Sequence, residues 1–167
     1  MPLIRLARVD DRDQIWAILE PVLRAGETYT LPRDISREGA LAYWHRDDHE
    51  VFVAEEAGRI LGTYFLCANQ LGGGDHVANC GYMTSQAAQG RGVARAMLEH
   101  SLARAQARGF LAMQFNFVVS TNERAVKTWQ AYGFAIVGRL PSAFKHPAHG
   151  FVDALVMFKH LSPPGDE

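Results

Sequence analysis

Between Tyr82 and Ala94 the chain passes from a strand, through a turn holding Gly90 and Gly92, into an amphipathic helix. That junction constrains the fold more than any other segment. Gly90 and Gly92 permit backbone angles that a Cβ opposes, and they let main-chain amides approach a ligand closely. The helix they open, about Gly92 to Arg108, carries Val93, Met97, Leu98, Leu102 and Ala105 on one face, with Arg95, Glu99 and Arg108 among its polar positions. Its first amides lack helical acceptors and sit at the positive end of the helix dipole, so the turn is a natural anion site. Arg91 and Arg95 add charge there. A Gly-x-Gly turn alone is a weak signal. The Gly-Lys-Ser/Thr of a P-loop is missing, as are the final glycine and ribose-binding acid of a dinucleotide fingerprint.

Periodicity places the other elements. Ile4 to Val9 alternates as a first strand, and Ile15, Trp16, Ile18, Leu19, Val22 and Leu23 repeat at helical spacing, with Pro21 expected to kink or shorten that helix. A loop from Gly26 to Asp34 leads to a second helix over about Ser36 to Trp44. Val51–Ala54 and Ile60–Ala68 form a hairpin, and Gly72-Gly73-Gly74-Asp75 turns the chain into a strand from His76 to Met83. After the glycine turn and its helix come a strand over Ala112–Val119, a helix over Asn122–Tyr132, and strands over Phe134–Leu140 and Phe151–Phe158. The order is β-α-α-β-β-β-α-β-α-β-β, a mixed α/β class. If the hairpin centres on Gly73 and Gly74, Cys67 and Cys80 face each other across it, as two packed thiols or, conceivably, a cross-strand disulfide.

A chain of 167 residues fits one domain, here residues 1–161, followed by a polar tail, 162–167, that reads as frayed. A net charge of −1 disfavours nucleic acid or an anionic membrane as partner. No apolar stretch reaches the length of a membrane span, and the start lacks a signal-peptide core. With two cysteines and seven histidines spread along the chain, neither a disulfide scaffold nor a metal is expected; reduced thiols in the cytoplasm are the simplest reading.

Gln89-x-x-Gly92-x-Ala94 matches the Gln/Arg-x-x-Gly-x-Gly/Ala signature of the GNAT (Gcn5-related N-acetyltransferase) superfamily, and the element order resembles that fold over essentially the whole chain. Asn122-Glu123-Arg124-Ala125…Gly133-Phe134 resembles the family's second block. The resemblance implies an acetyl-CoA-dependent N-acetyltransferase whose central sheet splays between its fourth and fifth strands. It implies that Gln89, Gly90, Arg91, Gly92, Val93 and Ala94 hold the pyrophosphate, and that Met83 and Thr84 pair with the pantetheine arm. Asn122 would bond the pantetheine or simply cap its helix. Homodimers are common in the family. Many members place a tyrosine, as general acid, where this chain has Trp129, which is a donor without useful acidity. Water, the product ammonium or Tyr82 would then supply the proton, with Trp129 packing on the pantetheine or in the core and Tyr132 as packing.

On the acceptor side, Met113, Phe115, Phe117 and Val119 read as one apolar face of their strand, interrupted on the other by Gln114 and Asn116. Asn79 and Asn116 would flank the splay, bonding a small polar acceptor or the thioester carbonyl, or else satisfying exposed backbone groups. Glu27, Thr28 and Tyr29 lie where the family builds its acceptor wall; Glu27 is a candidate base or amine-binding carboxylate, or an ordinary surface glutamate. His76 could instead abstract a proton near neutral pH, although it sits at the start of its strand, distant from the thioester. The long loop from Arg139 to Asp153, with Phe144 as a lid or a loop anchor, resembles the branch containing proline-analogue and amino-acid-type acetyltransferases. That branch implies a small amino-acid-like amine as acceptor, acetylated by direct attack, with a non-catalytic acyl-CoA sensor or a protein acetyltransferase as alternatives.

Overall fold

The computed structural model describes residues 1–162, and the expected order of elements is present. They are β1 (Leu3–Leu6), α1 (Arg12–Ala25), α2 (Arg37–Trp44), β2 (Glu50–Glu56), β3 (Arg59–Ala68), β4 (Val77–Thr84), α3 (Val93–Ala107), β5 (Ala112–Val119), α4 (Glu123–Ala131), β6 (Ala135–His146) and β7 (Gly150–His160). The tail expected to fray lies, from residue 163 on, outside the described residues. Seven strands make one sheet in the order β1-β2-β3-β4-β5-β7-β6, antiparallel throughout except between β4 and β5. α3 provides the crossover that a parallel pair requires.

Helices cover both faces, which is why β2 and β3 read as continuous apolar runs. Phe52 and Ala54 join one core with Met97 and Leu98 of α3. Val51 and Val53 join the other with Ile15 and Leu19 of α1 and Trp44 of α2. Ser36 caps α2 by accepting from the Gly39 amide at 3.0 Å. The far end of α2 is fastened inside the protein: the Trp44 indole donates to the Thr63 hydroxyl at 3.0 Å, which donates to the Phe52 carbonyl at 2.8 Å.

Four sequence expectations change. α1 runs unbroken through Pro21; the carbonyl deprived of a donor is that of Ala17, an exposed residue, so the proline stands where the lost bond is not buried. The β3–β4 turn centres on Gly73 alone, so Cys67 lies opposite Asn79 and Cys80 opposite Leu66. That one-residue slip sends the thiols to opposite faces of the sheet, Cys67 toward α1 and α2 and Cys80 toward α3. A bulge between Phe115 and Val118 interrupts β5, so Met113, Phe115 and Val118 share the α3-side core and Phe117 does not. Finally, residues 139–153 form no lid loop. β6 and β7 continue as one hairpin to His146 and Gly150, and Phe144 pairs with Val152.

Candidate functional site

β4 and β5 are paired only at Val77–Ala112 and Ala78–Met113. Beyond those two rungs the strands part, and the edge of β4 faces an open gap. The phase of the β3–β4 ladder identifies which backbone groups are exposed there. Asn69 N donates to Val77 O at 2.7 Å, and Ser85 N donates to Leu61 O at 2.8 Å. In an unbroken antiparallel register, every second residue between those points bonds to β3. Asn79, Gly81 and Met83 are therefore engaged with β3, while Cys80, Tyr82 and Thr84 present amide and carbonyl groups to the gap. Met83, with a buried side chain and a backbone turned toward β3, does not offer the pairing groups expected of it; Tyr82 and Thr84 do.

The gap leads into the glycine turn. Gly90 and Gly92 have φ of 79° and 80°, and nothing lies within 4 Å of where a Cβ would stand on either. The amides of Gln89 and Arg91 are engaged inside the turn, with Gln86 O at 3.4 Å and Ala88 O at 3.2 Å. α3 closes its ladder first with Ala96 N to Gly92 O, so the amides of Gly92, Val93 and Ala94 precede any helical acceptor. This leaves a concave row of donors at a positive helix end, the arrangement suited to a pyrophosphate. The Arg91 guanidinium is tied to Glu56 at the end of β2. Gly62 of β3 lets α3 sit close: a Cβ there would come within 2.9 Å of Val93 Cγ1 and 2.8 Å of Met97 Cε.

α4 stands over the same gap. Asn122 is its N-cap residue, yet its side chain makes no capping bond. The capping alternative is thus unfilled, and the amide group is left for another partner. Trp129 lies against Tyr82 of β4 (5.2 Å between ring centres) and Phe115 of β5 (4.8 Å), bridging the parted strands from the α3 side. Tyr82 points its ring into that aromatic cluster, and its hydroxyl meets Ser101 at 2.6 Å. Burial raises its phenol well above the ordinary value. Its side chain therefore packs, partly buried, against the α3-side core, on the face of the sheet opposite Asn79. Tyr132, expected as packing, does pack, partly buried, against the α3-side core, and its hydroxyl donates to Glu99 of α3 at 2.6 Å.

On the opposite face, the loop after α1 is closed at its base by paired arginines. Arg33 Nε donates to Arg24 O at 2.8 Å, and Arg24 donates back to Arg33 O. This places Tyr29 over β4, where its hydroxyl donates to the Tyr82 carbonyl at 3.0 Å, one of the groups facing the gap. Thr28 is partly buried beside it, and Glu27 is exposed. Asn79 projects on this face with Gly81, partly buried. Asn116 belongs to a chain of amides that the sequence reading did not assemble: Gln114 Nε2 donates to Asn116 Oδ1 at 2.9 Å, and Asn116 Nδ2 donates to Asn69 Oδ1 at 2.6 Å. Asn69 was missed because it follows β3, remote in sequence; the signal was an amide at the strand end beside a strand carrying Gln114 and Asn116. Phe144 is buried 6.3 Å from the Phe117 ring, so it anchors the β6–β7 arm on β5 rather than closing over the gap.

Two hollows, of about 470 and 550 Å³, lie elsewhere, one by His45 to Glu50 and one between α4 and β6. Both cysteines are buried and free. Burial pushes the Cys67 thiol up to about 11 and the Cys80 thiol up to about 12, so neither supplies a thiolate at neutral pH.

Comparison with known proteins agrees with this geometry. N-acetyltransferase aca1 of Schizosaccharomyces pombe is 28% identical over 103 residues, which are 61% of this chain and 49% of that protein, so the match spans about half of the relative's length. A GCN5-related N-acetyltransferase from Kribbella flavida superposes with a TM-score of 0.90 at 39% identity, covering 95% of this chain and 97% of the other. yncA from Salmonella typhimurium, solved with its cofactor acetyl-CoA, shares the fold with a TM-score of 0.84 at 20% identity over 97% and 95% of the two chains. The Acetyltransferase (GNAT) family model matches residues 13–134, a span from α1 through the glycine turn to the start of the β6–β7 arm, and this chain belongs to that family.

Proposed function

We propose that the protein transfers the acetyl group of acetyl-CoA to the amine of a small amino-acid-like acceptor, by direct attack within a ternary complex. The observation that carries this reading is the parting of β4 from β5 after two rungs, with the edge of β4 at Tyr82 and Thr84, free of any partner strand, running into the donor row at Gly90 to Ala94. The pantetheine arm would lie along that edge as a surrogate strand, and the pyrophosphate on the amides of Gly90, Gly92, Val93 and Ala94. Gln89 and Arg91 would contribute through side chains, and Asn122 through its uncapped amide. Trp129 would floor the gap.

The neutral amine attacks the thioester carbon from the α1–α2 face, where Asn79, Asn116, Thr28 and Tyr29 surround it. Charge developing on the carbonyl oxygen needs a donor fixed in place; the exposed backbone amides of β4 and the side chain of Asn79 are suited to that. No general acid occupies the Trp129 position, and the Tyr82 phenol is held by Ser101. The coenzyme thiol, with an ordinary pKa near ~8.5, leaves tolerably without one, its proton coming from water or the product ammonium. Two buried, protonated cysteines leave no nucleophile for an acetyl-enzyme. Glu27, exposed beside this wall, would bind or deprotonate an incoming ammonium.

A cytoplasmic setting suits such a donor; no helix of the described residues is long and apolar enough to cross a membrane. The test is release of free coenzyme A with a panel of amino acids, imino acids and simple amines. Turnover with a subset of them is expected. Tight acetyl-CoA binding with no turnover on any acceptor would favour a sensor instead, a role that the aromatic plug at Trp129 would also suit.

A further inference from the structure

A second cluster of reactive side chains lies outside the acetyl-transfer gap, where the segment after α2 meets the end of β3. Donor atoms of Asp48, His49 and Cys67 all lie within 4.8 Å of one another. We propose that these three side chains bind one divalent cation of the zinc class. Nitrogen, sulfur and oxygen donors together suit zinc, cobalt or cadmium and disfavour magnesium and calcium, which take oxygen shells.

The surroundings are organised for such an ion. His49 Nδ1 lies 2.9 Å from the Trp44 carbonyl, a contact that places the ring proton on Nδ1 and leaves Nε2 with a bare lone pair. The ring is held flat on Phe65, 3.9 Å between centres and 7° between planes. Asp48 is gripped by the Arg46 fork at 3.0 and 2.9 Å. This fixes the carboxylate's orientation yet leaves a further lone pair on each oxygen. Cys67 is buried and free. A hollow of about 470 Å³, lined by Asp48, His49 and His45, opens beside them and gives an ion a route in. His45 Nε2 is itself buried without a hydrogen-bond partner among the described residues.

Binding exchanges the Cys67 S–H proton, released to solvent, for a sulfur–metal bond, so one proton leaves per ion bound. Water completes a four-coordinate shell. The ion would clasp the 45–49 segment to the end of β3, on the face opposite Cys80.

Cobalt(II) titration of the full chain, freed of metal with a chelator, provides the test. One equivalent should produce a near-ultraviolet thiolate-to-cobalt band together with visible tetrahedral bands. Cys67→Ser should abolish the near-ultraviolet band, whereas Cys80→Ser should keep it. His49→Gln and Asp48→Asn should each weaken cobalt binding at least about tenfold; Asp48→Asn, at an exposed residue, carries the test should Cys67→Ser or His49→Gln fail to fold. The proposal is overturned if the wild-type chain gives no thiolate band, if the band follows Cys80 rather than Cys67, or if His49→Gln binds cobalt as tightly as wild type. None of these readouts depends on acetyl transfer, so failure of one reading leaves the other standing.

Discussion

Replacing Gly92 by alanine separates what the turn does for the fold from what it does for the coenzyme. Gly92 has φ of 80° with nothing within 4 Å of its missing Cβ, so the substitution meets backbone strain and no clash. Gly58, in the β2–β3 turn, is a matched control, with φ of 78° and the same open space. A non-glycine residue in this region costs ~1–2 kcal/mol, and alanine returns ~0.4–1 kcal/mol by stiffening the unfolded chain. Each variant should therefore lose about 0–1.6 kcal/mol, a fall in Tm of at most roughly 6 °C for a chain of this size. Only at Gly92 is the new methyl carried by a residue whose amide, with those of Val93 and Ala94, lacks a helical acceptor. Hydrogen bonds to a charged group contribute about 1.5–3 kcal/mol each, so weakening even one lowers acetyl-CoA affinity at least about tenfold. Paired melting curves and calorimetric titrations with acetyl-CoA measure both quantities. Equal affinities in the two variants, at equal loss of stability, would refute the assignment of the turn as the pyrophosphate cradle.

Other expectations follow from single contacts. Thr63→Val should cost ~1–3 kcal/mol by urea unfolding, because it leaves the buried Trp44 indole N–H without an acceptor. Trp129→Phe should hold kcat within about tenfold, since the indole donates no proton to the leaving thiol; a loss of ~10²-fold or more, the scale of a general acid, would show otherwise. Asp11, bonded by Arg5 at 2.8 and 3.0 Å and by the Arg8 amide, has its carboxyl held below the usual value by the Arg5 hydrogen bonds. Its stabilisation is full above the unfolded-state pKa and is lost as pH falls through the lower folded value. Tm should therefore drop below about pH 4 in the wild type, with a shallower acid limb in Asp11→Asn. Native protein at pH 7.5 should resist alkylation by iodoacetamide at both cysteines until unfolded, as thiols raised to about 11 and about 12 hold almost no thiolate.

Strong periodicity made much of this fold legible. β5 was read at its observed bounds because apolar residues alternate through Phe115, and α3 because its buried stripe is continuous. The β6–β7 arm was misread as a loop because Pro141, Ser142, Pro147 and Gly150 are turn residues. The structure accommodates Pro141 and Ser142, the latter at φ 51°, inside an irregularity between Leu140 and Phe144, after which pairing resumes. The glycine turn and the helix it opens were readable from local sequence, since a helix start and its free amides are local objects. The division of backbone labour between Met83 and its neighbours was not, because it depends on the phase of the β3 ladder. The Asn69–Asn116 contact joins residues 47 apart across the parted strands, and no local pattern encodes it.

The two rungs between β4 and β5 have a thermodynamic corollary. The sheet is nearly two sheets, β1 to β4 and β5, β7 and β6, joined by those rungs, by the shared α3-side core and by the Trp129 and Asn69–Asn116 contacts. On the proposed reading, a ligand seated in the gap would bond β4 along its free edge and contact α4 above β5, linking the halves only when the chain is folded. By mass action, acetyl-CoA at a hundred times its Kd would add ~2.7 kcal/mol of stability, a rise in Tm of roughly 5–11 °C. The coenzyme would then serve the folded chain as a missing structural member, and the amount of enzyme surviving heat or proteolysis would track the supply of its donor.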